Sequence, residues 1–299
     1  MSGLWILGWL WCLSDLILKP RKLSYEKQFK AEADKGRFDQ YSYQKADKIH
    51  FKIKSDFGYF LSCELLRPKK ELLTKMSGTG VVILCHGFGC AKCICIKYAE
   101  IYLKLGYKVL LYDQRNHGLS GKAYTSMGYY ERYDLKKIID WCYEHFGENC
   151  KIITHGESMG AATVLMHLGI DNRVTCVVAD CAYSDLIQLL KHQIKQFYHL
   201  PSFLIPVESF ITYLRAGFWY RDISPLEIVR KTDIPILFIH GKIDNFVPTK
   251  MAKELYQAKR KNKAIYLVAG ARHAESICKN RKGYEQVLKD FLEHVMREA

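Results

Sequence analysis

From about residue 47 onward, apolar positions along the 299-residue chain fall into two alternating patterns. Short runs rich in Val, Ile, Leu, Phe and Tyr read as strands: IHFKIK (49–54), YFLSCELL (59–66), VVILCHG (81–87), KVLLYD (108–113), KIITHG (151–156), TCVVAD (175–180), PILFIHG (235–241) and AIYLVAG (264–270). Between them, around 91–105, 129–146, 159–169, 250–258 and 282–297, the patterns are helical. In YYERYDLKKIIDWCYEHF (129–146) apolar residues recur at three- and four-residue steps, which gives one buried face. The first two strand runs follow each other directly, and the rest alternate with helices. That order predicts an α/β fold with a mostly parallel eight-stranded sheet and helices on both faces.

Two stretches break the alternation. Residues 187–228 form a long insertion rich in Phe, Tyr, Leu and Pro, read as a helical lid over a substrate pocket. Residues 1–46 precede the alternating body (47–299) and have a different character. GLWILGWLWCLSDLIL (3–18) is almost wholly apolar and holds Trp5, Trp9 and Trp11, with Lys19, Arg21 and Lys22 behind it. It lacks the basic start and small-residue cleavage site of a signal peptide, and its 16 residues fall short of a span. Tryptophans followed by basic residues suit a membrane–water interface, with the alternating body on the cytoplasmic side. The competing reading is a helix packed on its own domain or on a partner, in a soluble cytoplasmic protein. Residues 19–46 read as a polar helix or linker.

The most informative residues are GESMG (156–160), which follow a strand and open a helix. A G-x-S-x-G turn in that context is a nucleophile elbow, with glycines where side chains would collide with neighbouring strand and helix. Ser158 then stands at the apex. A serine hydroxyl needs a base, and His273 directly follows the last strand run. His86, His155 and His240 sit within or at the ends of apolar runs and read as structural. Asp244, on the loop after PILFIHG, is placed to orient His273, with Asp180 and Asp185 as rivals one strand earlier. Two N–H groups suit a developing oxyanion. One belongs to Met159 at the start of a helix, the other to Phe88 in HGFG (86–89).

Composition narrows the field. There are 45 Lys and Arg against 31 Asp and Glu, a formal charge of +14. The basic residues are spread along the chain without an aromatic-interleaved module, so no nucleic-acid partner is expected. The 11 cysteines lie mostly in apolar runs, as buried free thiols of a reduced compartment do. Cys90, Cys93 and Cys95 form C-x-x-C-x-C, but no second ligand pair follows at zinc spacing, so no metal site is expected.

Taken in order, HGFG (86–89), DQRNHGLSG (113–121), GESMG (156–160), HGKIDNFVP (240–248) and GARHAES (270–276) resemble the motifs of the α/β-hydrolase superfamily. Within it the chain is most similar to the prolyl-oligopeptidase-like and small carboxylesterase branch, cinnamoyl-esterase-type enzymes included. The resemblance covers residues 47–299 and implies an α/β-hydrolase fold. It also implies a serine hydrolase with Ser158, Asp244 and His273 as catalytic triad and Phe88 and Met159 as oxyanion donors. Asp113, Arg115 and Gly118 would brace a loop beside the site. The expected reaction is cleavage of a small acyl ester through an acyl-enzyme, with no cofactor. The alternatives are a serine peptidase and a non-catalytic binding protein on the same fold.

Overall fold

The computed structural model of the chain describes residues 2–72 and 80–298, and for residues 2–7, 9 and 10 the backbone alone. All eight strand runs become strands: β1 (Lys48–Lys54), β2 (Phe60–Leu66), β3 (Gly80–Cys85), β4 (Lys108–Tyr112), β5 (Lys151–Glu157), β6 (Cys176–Asp180), β7 (Ile236–Gly241) and β8 (Lys263–Val268). They form one sheet in the order β1-β2-β4-β3-β5-β6-β7-β8. The β1–β2 and β2–β4 pairs are antiparallel and the remaining pairs parallel, as the opening pair of helix-free strands predicts. Every residue of β3 is buried, the pattern of a strand covered on both faces, whereas edge strand β1 buries only Ile53.

Three helices precede the sheet: α1 (Ser2–Leu18), α2 (Tyr25–Asp34) and α3 (Gln40–Lys45). Next come α4 (Ile96–Lys104), α5 (Glu131–Phe146) and α6 (Met159–His167). Helices α7 (Leu186–Phe197), α8 (Leu204–Ala216) and α9 (Pro225–Val229) fill the insertion between β6 and β7. Helices α10 (Thr249–Ala258), α11 (Ser276–Lys279) and α12 (Arg281–Glu298) complete the chain. Successive side chains of β3 serve opposite faces. Val82 and Leu84 join the layer under α4 and α12, and Val81 and Ile83 the layer under α5 and α6. A third apolar cluster gathers Leu18, Met159, Tyr183, Leu189 and Ile205 beneath the insertion.

The N-terminal segment is not set apart in space. Ser14 and Leu18 of α1 are buried, and Arg215 of α8 holds the helix. Its guanidinium donates to the Trp11 carbonyl (2.7 Å), Ser14 Oγ and the Asp15 carboxylate, and lies 4.4 Å from the Trp11 ring. The Leu18 carbonyl, one of the end groups a helix leaves unpaired, accepts from Thr125 N–H (3.1 Å) and Asn116 Nδ2 (3.3 Å). The described half of α1 thus packs on protein, as the second reading of this segment expects. The side chains of Trp5 and Trp9 lie outside the described residues. Among the described residues, no helix is long and apolar enough to cross a membrane. Segment 19–46 is docked as well. Gln28 Oε1 accepts from Ala91 N–H (2.9 Å), and Phe29 lies 5.2 Å from Phe38 and 5.7 Å from Tyr43 between ring centroids.

Arg215→Ala removes the cation that ties α1 to α8 and should let α1 detach. Tryptic cleavage after Arg21 and Lys22 should then accelerate by about tenfold or more, since each factor of ten answers to ~1.4 kcal/mol of local stability. An unchanged cleavage rate would show that the helix is held by apolar packing alone.

Candidate active site

The strand β5 ends and α6 begins within one tight turn, and Ser158 stands on it with φ 56° and ψ −116°. This backbone region is costly for a residue with a Cβ and persists only where its surroundings enforce it. Two glycines make that enforcement sterically feasible. A Cβ on Gly156 would overlap the Gly160 carbonyl, and a Cβ on Gly160 would overlap the backbone of Cys85 and His86 after β3. The Ser158 N–H donates to the Asp180 carbonyl (2.9 Å), which ties the turn to β6.

Parallel pairing of β7 with β8 brings the loops after both strands alongside this turn. His273 Nε2 lies 2.9 Å from Ser158 Oγ, and His273 Nδ1 lies 2.8 Å from Asp244 Oδ2. The other Asp244 oxygen, Oδ1, accepts from the N–H groups of Phe246 and Val247, each at 2.9 Å. Burial pushes the Asp244 carboxyl up, but hydrogen bonds from His240 and His273 outweigh it and hold the group well below the usual carboxylate range. An ionised Asp244 can only accept, so Nδ1 of His273 carries the proton. Nε2 is then free to accept from the Ser158 hydroxyl.

Pairing of Cys85 with Gly156 across β3 and β5 sets the HGFG turn beside the elbow. No acceptor among the described residues takes the backbone N–H of Phe88 or of Met159. Both residues, with Ser158, border a cavity of about 270 Å³. Further walls come from α1 (Leu16, Ile17), α7 (Leu190, Ile194) and α8 (Ile205, Glu208), with Met127, Tyr183 and Phe246 among the rest.

A family model described as the alpha/beta hydrolase fold matches residues 80–205. The chain is 34% identical over 285 residues to YqkD of Bacillus subtilis, an uncharacterized protein, with 94% of this chain and 91% of that one covered. The chain belongs to the α/β-hydrolase superfamily. Among solved structures, this α/β-hydrolase resembles the Pyrococcus furiosus esterase Pf2001, with a TM-score of 0.71 at 23% identity over 94% of this chain and 98% of that one. It also resembles GrgF from Penicillium, with a TM-score of 0.63 at 17% identity over 84% and 99% of the two chains.

The remaining sequence candidates of this α/β-hydrolase have structural partners. Asp185 caps α7 by accepting from Gln188 N–H (3.0 Å). Asp180 points beneath the elbow, where it accepts from Tyr98 (3.1 Å) and Tyr284 (3.0 Å). His86 contacts the Gly87 carbonyl through Nδ1 (2.8 Å) and accepts from Gln114 N–H at Nε2 (2.9 Å). His155 lies between Tyr102 and Tyr284, and His240 Nε2 reaches the Val247 carbonyl (2.8 Å). Asp113 accepts from the Lys92 ammonium (2.8 Å) and Leu119 N–H (3.0 Å), and a Cβ on Gly118 would overlap its carboxylate. Arg115 pairs with Asp134 (2.8 Å). Among the described residues no two cysteines form a disulfide, and no three His, Cys, Asp or Glu side chains converge as metal ligands would.

Sequence reasoning did not find the ion pair under the elbow. Glu157, the residue before Ser158, is buried with its carboxylate 2.6 Å from Lys97 Nζ and 2.6 Å from Tyr98 Oη. Burial raises its pKa, but Lys97 outweighs that and holds it below its ordinary value. Asp180 shares Tyr98 with it. Burial, reinforced by the charge of Glu157, pushes Asp180 up to about 6. A Lys at residue 97, 60 positions before its partner, carries no local sequence signal.

Lys97→Met leaves the Glu157 charge buried and uncompensated, and should cost about 3–5 kcal/mol of stability in urea denaturation. Adding Glu157→Gln should recover part of the loss, and a double variant no better than the single would contradict the pairing. Acidification should also destabilise the protein. Burial lowers the pKa of His86, of His117 and His155 (each to about 3) and of His167 (to about 4). Their stability contribution is full above the free value of ~6.5 and is lost as pH falls toward 3. Asp180, raised to about 6, and Glu208, raised to about 7, act with the opposite sign, losing theirs as pH rises through those values. The depressed carboxyls of Asp244 and Glu157 side with the histidines. The denaturation midpoint should therefore fall between pH 7 and pH 4, and a rise would contradict this balance.

Proposed function

We propose that this α/β-hydrolase is a serine esterase that cleaves a carboxylic ester through an acyl-enzyme. The observation that carries the reading is the continuous hydrogen-bonded chain from Ser158 Oγ through His273 to Asp244. Ser158 attacks the ester carbonyl while His273 Nε2 takes its proton, giving a tetrahedral oxyanion. The leaving alkoxide takes that proton and departs as the alcohol. Water then attacks the acyl-enzyme, His273 again takes a proton, and the acid and Ser158 are released. The ionised Asp244 stabilises the imidazolium in both steps. The N–H groups of Phe88 and Met159 are assigned to the oxyanion, each worth roughly 3 kcal/mol in the transition state.

Helices α7 and α8 act as a lid in this reading, and α1 closes the pocket with them. The mostly apolar wall favours an acyl or alkyl body in the group it holds. Unlike a free appendage, α1 then takes part in substrate choice, because Leu16 and Ile17 border the cavity with Ser158.

Ser158→Ala, His273→Ala and Asp244→Asn should each lower kcat for p-nitrophenyl ester hydrolysis by about 10³-fold or more. Wild-type activity in Ser158→Ala would sink the assignment. Faster turnover of aminoacyl amides than of esters would instead favour a peptidase. Deleting residues 1–18 should preserve acetate ester hydrolysis while lowering kcat/KM for six- to eight-carbon acyl esters by roughly tenfold, the loss expected for one or two buried methylenes. Equal loss across all chain lengths would remove α1 from the pocket wall.

A further inference from the structure

The amphipathic pattern of α8 is inverted at one position. Phe203, Val207, Phe210 and Leu214 are exposed, whereas Glu208 on the same stretch is only 6% exposed and faces inward beside Ile205. Its polar neighbours Ser209 and Thr212 are engaged elsewhere. Ser209 Oγ accepts from Tyr220 N–H (3.0 Å), and Thr212 Oγ1 donates to Tyr220 Oη (2.9 Å). Arg215, two turns along, directs both terminal nitrogens to α1, and its buried Nε makes no hydrogen bond to Glu208 or to any other described group. Neither carboxylate oxygen of Glu208 has a hydrogen-bond partner, and both are buried. Native structures rarely leave such a group unserved.

We infer that Glu208 is a specificity residue that receives a hydrogen-bond donor, a hydroxyl or an ammonium, carried by the part of the substrate lodged between α1, α7 and α8. This rests on the esterase reading. An apolar cavity with one unserved carboxyl discriminates sharply. A donor on the substrate satisfies the carboxyl, and a plain alkyl chain leaves it buried and unpaired. Burial pushes the group up to about 7, with Arg215 pulling the other way, so at neutral pH both its acid and its ionised form are available to such a donor. The exposed apolar face of α8 cannot supply one, because it points away.

The test uses matched six-carbon esters in which one hydroxyl is moved stepwise along the acyl chain, and a second series with the hydroxyl on the alcohol. Hydrolysis is followed by titration of the released acid. Wild-type protein should favour at least one hydroxylated isomer over the plain ester by fivefold or more in kcat/KM. Glu208→Leu should reverse the order, raising the plain ester and lowering that isomer. A structural role alone would move both substrates by the same factor, and that result, or a wild-type protein indifferent to every hydroxyl, overturns the inference. Glu208→Gln, isosteric and still an acceptor, should keep the preference for a hydroxyl and lose one for an amino group. It carries the test if Glu208→Leu does not fold. Calorimetric titration of the same esters into Ser158→Ala protein reads the preference without turnover. A preference there with no hydrolysis by wild type sinks the esterase reading and keeps Glu208, and no preference in either assay sinks Glu208 alone.

Discussion

The backbone at Ser158 is held at φ 56° because three chain segments leave it no alternative. Gly156 lies against the Gly160 carbonyl, Gly160 lies against the end of β3, and the Ser158 N–H is fixed to Asp180 of β6. The consequences run outward from this packing. It aims Oγ at His273 and leaves the Met159 N–H unpaired at the head of α6. It also brings the HGFG turn within reach of the same space. A Cβ at Gly160 would push α6 away from β3, one at Gly156 would push α6 away from β5, and either would release the strain that presents the serine.

Beneath the turn lies a polar layer that an apolar core would not need. Tyr98 hydrogen-bonds both Glu157 and Asp180, Tyr284 extends the set from Asp180 to His155, and Lys97 forms an ion pair with Glu157. Buried ion pairs contribute little net stability, and their value lies in directionality. Here the directional contacts grip the residues on either side of the elbow, Glu157 on β5 and Asp180 on β6. The protein is held by apolar layers on both faces of the sheet, and this polar layer fixes where the strained turn sits within them.

Much of the fold was legible because its signals are local. Continuous apolar runs ending in Gly or Asp marked the parallel strands, and the strand–GESMG–helix sequence marked the elbow. Asp244 and His273 could be chosen because each follows a late strand, and the structure sets His273 against Ser158 and Asp244 against His273. What escaped depends on contacts between distant positions. Lys97 sits in an ordinary helical pattern, and only folding shows that it meets Glu157. The Trp-rich opening segment had two readings because apolarity alone does not say what covers it. Arg215, about 200 residues away, supplies the answer for its described half. Glu208 carries no sequence mark, and only the fold shows it turned inward while Phe203, Val207, Phe210 and Leu214 face out.

The central claim is that Ser158 forms a covalent acyl intermediate. Mass spectrometry of protein quenched during turnover of a p-nitrophenyl ester tests it directly. The account predicts an added acyl mass on the peptide containing Ser158, absent when His273 is replaced by alanine. Continuing turnover with the peptide unmodified, or with the acyl group on another residue, would contradict it.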